Sequence, residues 1–157
     1  MADSEKQLLV VSHAPSVNTE RLVAAVLRGA RHPDIEHVST THIPPLKAGV
    51  EDVLNCDGII LGTTENFGYM SGALKDFFDR IYYPALDQKQ GTPYALYVRA
   101  GLDGTGTLNA VGRIVTGLRW RSISEPLLLK GSYDKAFEQQ CEQLGMLMAA
   151  SLDAGIA

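Results

Sequence analysis

The chain has 157 residues, of which 45% are hydrophobic and 20% charged, and its formal net charge is −4. This length and composition are typical of one globular domain with one hydrophobic core. The acidic balance argues against a nucleic-acid surface, which needs clustered lysine and arginine.

The chain alternates apolar runs with segments of helical periodicity. In chain order, the first half predicts a buried strand at 7–12, a helix from Asn18 or Thr19 to about 31, an edge strand at 35–39, a short helix at 49–55 and a strand at 59–61. The second half predicts a helix from about 71 to 82, a strand at 94–99, a helix from about 108 to 118, a strand within 121–129 and a last helix with an apolar stripe from Tyr133 to Met148.

Five strands alternating with five helices predict an α/β fold in which right-handed crossovers build a doubly wound, five-stranded parallel sheet. Pro84 is expected to end the third helix, and Glu125-Pro126 is a point at which the last strand can break. No repeat or linker indicates a second domain.

The loop after the first strand, SHAPSVNT at 12–19, has the features of an anion site. A helix start offers free N–H groups and a partial positive charge. The hydroxyls of Ser12, Ser16 and Thr19 and the Asn18 amide add donors, which suits a phosphate monoester. The alternative is a plain helix cap with a polar turn. A protonated His13 would pair with a phosphate, or it is an ordinary turn residue.

A second polar loop follows the third strand, at 63–71. It combines Thr63, Thr64, Asn66 and backbone N–H groups with Phe67 and Tyr69, a mixture that suits a flat aromatic heterocycle. Alternatively, the two aromatic residues only cover the core. A glycine-rich third loop at 101–107 allows a ligand to approach closely, or is a flexible turn. Open α/β sheets bind ligands at such strand ends, and we expect a flavin.

The second loop and the helix after it carry a family resemblance. The segment GTTENFGYMSGALKDFFDR, at 62–80, resembles the second flavin loop and third helix of the flavodoxin-like NAD(P)H:FMN oxidoreductase superfamily. The family's Lys-x-Phe-(Phe/Leu/Ile)-Asp-Arg pattern is matched at Lys75, Phe77, Phe78, Asp79 and Arg80. The first loop is similar to the family's Ser-x-x-x-x-x-Asn-Thr phosphate loop. The chain departs from the family's commoner residues at His13, Ala14, Val17 and Thr64.

The resemblance implies one flavodoxin-like domain over 1–157, with strand order 2-1-3-4-5 and FMN as cofactor. The implied phosphate-loop residues are Ser12, Ala14, Ser16, Val17, Asn18 and Thr19. The implied ring-contacting residues are Thr63, Thr64, Glu65, Asn66, Phe67, Gly68, Tyr69, Ala100, Gly101 and Gly104.

The resemblance also implies a reaction, in which hydride passes from NAD(P)H to FMN and electrons pass on to a quinone-like or other small acceptor. The flavin does the chemistry, so no catalytic side chain is predicted. Electron-carrier flavodoxins are usually strongly acidic and often cover both ring faces with aromatic residues, whereas this chain has a net charge of only −4 and no aromatic residue in its third loop. We therefore predict a reductase. The alternatives are a flavodoxin-type carrier and a non-catalytic flavodoxin-fold binding module.

Other residues bear on cofactors and partners. Asn109 stands where a Rossmann fingerprint needs its third glycine, so that motif is rejected. A group of arginines would reach a nucleotide phosphate or form a solvated surface: Arg99, Arg113, Arg119 and Arg121. The histidines show no metal-ligand spacing, and no metal is predicted.

Many members of the family that the chain resembles are dimers, so the resemblance implies a homodimer or higher homo-oligomer. Trp120, Tyr82 and Tyr83 are its candidate surface residues, or ordinary half-buried aromatics. Cys56 and Cys141 are expected to be reduced core thiols. The polar start, at 1–7, predicts no secretory leader, and the short apolar runs predict no membrane span, so we expect a cytoplasmic protein.

Overall fold

A computed structural model describes residues 5–157, and the first four residues of the polar start lie outside the described residues. The strands are β1 (Lys6–Ser12), β2 (Val38–Ile43), β3 (Gly58–Asn66), β4 (Tyr69–Met70), β5 (Pro93–Ala100), β6 (Arg121–Ser122) and β7 (Leu127–Lys130). The helices are α1 (Val17–Ala30), α2 (Val50–Asn55), α3 (Gly72–Ala85), α4 (Thr105–Gly117) and α5 (Lys135–Asp153). Within 5–157, no helix is long and apolar enough to cross a membrane.

The strands form one sheet in the order β2-β1-β3-β5-β6, with β4 beside β3 and β7 beside β5. Every pairing is parallel except that of β3 with β4. The predicted α/β fold with a parallel sheet is therefore confirmed. The prediction of five strands in the order 2-1-3-4-5 is wrong in its count, because residues 5–157 form seven strands.

Two local features account for the additional strands. Glu125-Pro126 separates β6 from β7, and each of these short strands pairs with a different part of β5. The other addition is a hairpin at 65–70, in which Phe67 and Gly68 connect β3 to β4 with φ values of 53° and 74°. A two-residue turn with both φ values positive favours asparagine or glycine at its first position, so phenylalanine there hid the turn.

Several predicted boundaries are also corrected. Ser16, rather than Asn18 or Thr19, caps α1, because Ser16 is the last residue with extended backbone. The edge position of β2 is confirmed, although the strand begins at Val38 rather than at position 35. Helix α3 continues past Pro84 to Ala85, since a proline in the last turn removes only one terminal hydrogen bond. Helix α4 begins at Thr105, which shortens the third loop to 101–104.

The sheet separates two hydrophobic layers. Helices α1 and α5 cover one face, and α2, α3 and α4 contribute to the layer on the other face. Gly29 and Gly145 let α1 and α5 pack backbone to backbone, because a Cβ atom on Gly29 would lie 1.9 Å from the Glu142 carbonyl oxygen. Trp120 is buried in the core, which argues against its use as an interface residue and favours the alternative of an ordinary packed aromatic.

The family-like pattern in α3 serves the fold. Phe77 and Phe78 are buried, whereas Lys75 pairs with Asp79 on the surface at 2.6 Å. Arg80 donates hydrogen bonds to the carbonyl oxygens of residues 45 and 48 at 2.6 and 2.7 Å. The pattern therefore packs α3 on the sheet and anchors the segment that precedes α2.

Candidate flavin site at the carboxyl edge of the sheet

Sheet topology brings the three predicted loops together. Strands β1 and β3 are neighbours, and Ser12 at the end of β1 pairs with Gly62 in β3. The chain passes from β1 to β2 on one side and then to β3 on the other, which makes the gap between β1 and β3 a topological switch point. Ligands of open α/β sheets bind in that crevice. The third loop follows β5, the other neighbour of β3.

The first loop rests on a buried pair of hydroxyls. Ser12 Oγ hydrogen-bonds to the hydroxyl of Tyr97 in β5, and both residues are buried. Gly62 makes room for this contact, because a Cβ atom there would lie 2.3 Å from both Ser12 Oγ and Tyr97 Cζ. Burial raises the pKa of Tyr97 far above its usual range, so the phenol is neutral. The Ser12 hydroxyl is thus paired with Tyr97 below the first loop and does not face the predicted phosphate.

Two further hydrogen bonds fix the path of the backbone here. The His13 N–H donates to the Gly62 carbonyl at 3.0 Å, and His42 Nε2 lies 3.2 Å from the Ser12 carbonyl, to which it donates. Burial lowers the pKa of His13, which disfavours the predicted charged pairing with a phosphate. Sequence reasoning missed both Tyr97 and His42. A tyrosine inside an apolar strand was the available signal for Tyr97.

The start of α1 has unpaired donors. The Ser16 hydroxyl accepts from the Thr19 N–H at 3.2 Å, and the Thr19 hydroxyl accepts from the Ser16 N–H at 2.9 Å, which forms a capping box. The next two N–H groups, of Val17 and Asn18, have no hydrogen-bond partner within 5–157. Arg21 donates to the Asn18 side-chain oxygen at 3.1 Å. The site therefore offers N–H groups and a helix start to an anion.

The second loop is a hairpin stabilised by side-chain hydrogen bonds. Thr63 is buried, and its hydroxyl accepts from the Ser71 N–H at 3.0 Å. Ser71 in turn caps α3. The hydroxyl of Thr64 donates to the Asn66 side chain at 2.9 Å. These bonds hold the hairpin tip, where Phe67 is fully exposed in a left-handed conformation that costs a non-glycine residue about 1 kcal/mol.

The third loop contacts the hairpin directly. The Gly104 N–H donates to the Glu65 carboxylate at 2.6 Å. A Cβ atom on Gly106 would lie 2.0 Å from the Gly68 carbonyl oxygen, so the start of α4 touches the hairpin tip. Ala100 is buried at the end of β5, whereas Gly101 is exposed in the loop. The predicted ring-contacting residues therefore form two adjoining walls.

Each of the three loops exposes at least one large apolar side chain. Val17 is 65% exposed, Leu102 is 83% exposed and Phe67 is fully exposed, while Tyr69 beside it is 41% exposed. Exposed apolar side chains grouped around polar donors are typical of a ligand-binding site.

Arg99, one of the arginines considered for a nucleotide phosphate, is held by the protein itself. Its Nη1 donates to the carbonyl oxygens of Ala100 and Leu129 at 2.8 and 3.0 Å. Its guanidinium lies 5.1 Å from the centroid of the Phe137 ring and 5.8 Å from that of Tyr133. These contacts favour a structural role for Arg99.

Comparison with known proteins identifies the family. The model of the NADPH-dependent FMN reductase family matches residues 8–130, which include the first, second and third loops. The chain belongs to this family. This match, together with the similar flavodoxins described below, confirms the family membership that the sequence resemblance predicted.

Similar proteins agree with this assignment. A flavodoxin from Aquifex aeolicus is 30% identical over 112 residues, which are 71% of this chain, and the match spans 60% of that relative's length. An archaeal flavodoxin structure has a TM-score of 0.78 at 17% identity, covering 92% of this chain and 97% of its own. A WrbA-like flavodoxin from Agrobacterium tumefaciens has a TM-score of 0.71 at 15% identity, covering 98% of this chain and 100% of its own. These structures establish the flavodoxin-like fold.

Proposed function

We propose that this protein binds FMN and acts as an NAD(P)H-dependent reductase, with FMN as its cofactor. The observation that carries the proposal is the meeting of three loops at the switch point between β1 and β3, in a chain of the FMN reductase family. The donor set fits FMN, because unpaired N–H groups at the start of α1 suit its phosphate and the exposed hairpin suits its flat ring.

In this proposal the first two loops have separate tasks. The N–H groups of Val17 and Asn18 would bind the phosphate, while Ser16 and Thr19 hold the start of the helix in place. Phe67, at the tip of the hairpin, would contact the ring. When bound, the flavin supplies the chemistry by accepting hydride from NAD(P)H and passing electrons to a quinone-like or other small acceptor. The assignment of individual contacts stays a prediction.

The composition of the third loop favours a reductase over an electron carrier. Its residues, Gly101, Leu102, Asp103 and Gly104, include no aromatic side chain, so one ring face would stay open to a nicotinamide and then to a flat acceptor. A flavodoxin-type carrier is the second candidate, supported by the flavodoxin relative and by the fold.

Anaerobic reduction of the FMN-loaded protein distinguishes the two. A reductase loses the visible absorbance of its oxidised flavin when NADPH or NADH is added, and recovers it when a quinone is added. A carrier stays oxidised with either nucleotide and is reduced by dithionite alone. A chain that binds no FMN would instead support the non-catalytic module.

We also propose a homodimer in a reducing compartment such as the cytoplasm. Tyr83 on α3 is 79% exposed, which suits a subunit interface, whereas Tyr82 packs against Gly117. Both cysteines are buried and unpaired in disulfides, which fits a reducing compartment. Light scattering after size exclusion should give a dimer mass for the natural chain and a monomer mass for Tyr83→Ala. A monomeric natural chain would contradict this proposal.

A further inference from the structure

Glu65 is a predicted ring-contacting residue in the hairpin, and its side chain reaches the third loop. Its carboxylate accepts the Gly104 N–H at 2.6 Å. Gly104 is the cap residue of α4, so it offers no side-chain cap, and the first turn of α4 has no acidic residue. A helix start favours a nearby carboxylate, and a hydrogen bond to a charged acceptor is strong. Glu65 therefore supplies the capping anion of α4 from the hairpin.

The backbone on both sides of this hydrogen bond is closely packed. Gly104 has a φ of 76°, and a Cβ atom there would lie 2.4 Å from a methyl carbon of Leu128. At the other end of the contact, the Gly68 carbonyl lies against Gly106. The hairpin and the start of α4 thus meet at these two points, and the Glu65 contact depends on a side chain.

We infer that Glu65 is a positioning residue that holds the third loop against the hairpin, in the arrangement in which both would contact a flavin ring. The inference rests on the proposed function, in which residues of both the hairpin and the third loop contact the ring. Without the Glu65 hydrogen bond, the ligand itself must order the third loop, and that ordering lowers its affinity. The phosphate end of the site is formed by other elements and should be unaffected.

The test compares FMN with riboflavin, which has the same ring and no phosphate. Titrations followed by flavin fluorescence use the natural chain, Glu65→Ala, Glu65→Gln and the control Asp103→Asn, which changes an exposed carboxylate in the third loop. Glu65→Ala should raise the Kd for both ligands by the same factor of about ten. Glu65→Gln keeps an acceptor oxygen and should stay within about threefold, as should Asp103→Asn.

Amide exchange of the ligand-free protein gives a second readout. The Gly104 amide should exchange about tenfold faster in Glu65→Ala than in the natural chain, and Glu65→Gln should restore most of the protection. Cooperative melting of each variant checks that it is folded.

Several results would overturn the inference: unchanged Kd values in Glu65→Ala, a Glu65→Gln variant as weak as Glu65→Ala, a loss confined to FMN, or equal exchange of Gly104. If the natural chain binds neither flavin, the proposed function fails and the positioning role fails with it. If the natural chain binds both and Glu65→Ala matches it, only the positioning role fails.

Discussion

The buried pair formed by Ser12 and Tyr97 gives a sharp prediction about stability. Tyr97→Phe leaves the Ser12 hydroxyl without a partner in a site that is 1% exposed, and Ser12→Ala leaves the Tyr97 hydroxyl equally isolated. An unpaired buried polar group costs about 1–3 kcal/mol. We therefore expect each single variant to lose about that much, which for a chain of this size lowers Tm by roughly 3–10 °C.

The double variant removes both hydroxyls and leaves neither unpaired. We expect it to lie within about 1 kcal/mol of the natural chain and to be more stable than either single variant. Urea denaturation at neutral pH, with the four proteins arranged as a double-mutant cycle, measures the coupling. If the double variant loses as much free energy of unfolding as the two single variants together, the prediction is wrong, since the two hydroxyls would then not depend on each other.

Three other outcomes are expected. Gly29→Ala and Gly145→Ala should each destabilise by about 2 kcal/mol or more in urea, because the added methyl meets the backbone of the facing helix; an unchanged midpoint would contradict this packing. Ser16→Ala should cost about 1 kcal/mol through loss of the cap, which thermal melting measures, and a stable variant would show that the cap is dispensable. Burial raises the pKa of Cys56 to about 11 and that of Cys141 to about 12, from an ordinary thiol value of 9.0, so folding stability should fall as the pH rises from 9 towards these values. Thiol reagents should react with both cysteines only after unfolding, and rapid labelling of the native protein at pH 8 would contradict this.

The elements that the sequence predicted well are those whose signal is local. The apolar run at 7–12 became β1, and the stripe through Cys141, Leu144 and Met148 became the buried face of α5. Tyr133 belongs to the same stripe yet precedes the helix, because Asp134 provides the cap. Local periodicity therefore identifies an element, while its end is decided by a cap that competes with neighbouring polar residues.

In the candidate site, too, features with a local sequence signal could be predicted and features that depend on distant residues could not. Its three loops could be predicted, because polar residues after apolar runs mark the carboxyl ends of strands. The contact between Glu65 and Gly104 could not, since these residues meet only through the pairing of β3 with β5. The hydroxyl of Ser12 was predicted to face a phosphate, whereas β-sheet alternation directs it to Tyr97. Each of these features depends on residues that are distant in sequence.

The most direct test of the proposed flavin site is a titration of the purified protein with FMN and with riboflavin, followed by quenching of flavin fluorescence. We expect saturable FMN binding with a Kd at or below about 1 µM, equivalent to about −8 kcal/mol. Riboflavin should bind at least tenfold more weakly, because only FMN carries a phosphate for the N–H groups at the start of α1. No FMN binding at roughly a hundred times that concentration would contradict the flavin site. Equal affinity for the two ligands would contradict its phosphate end.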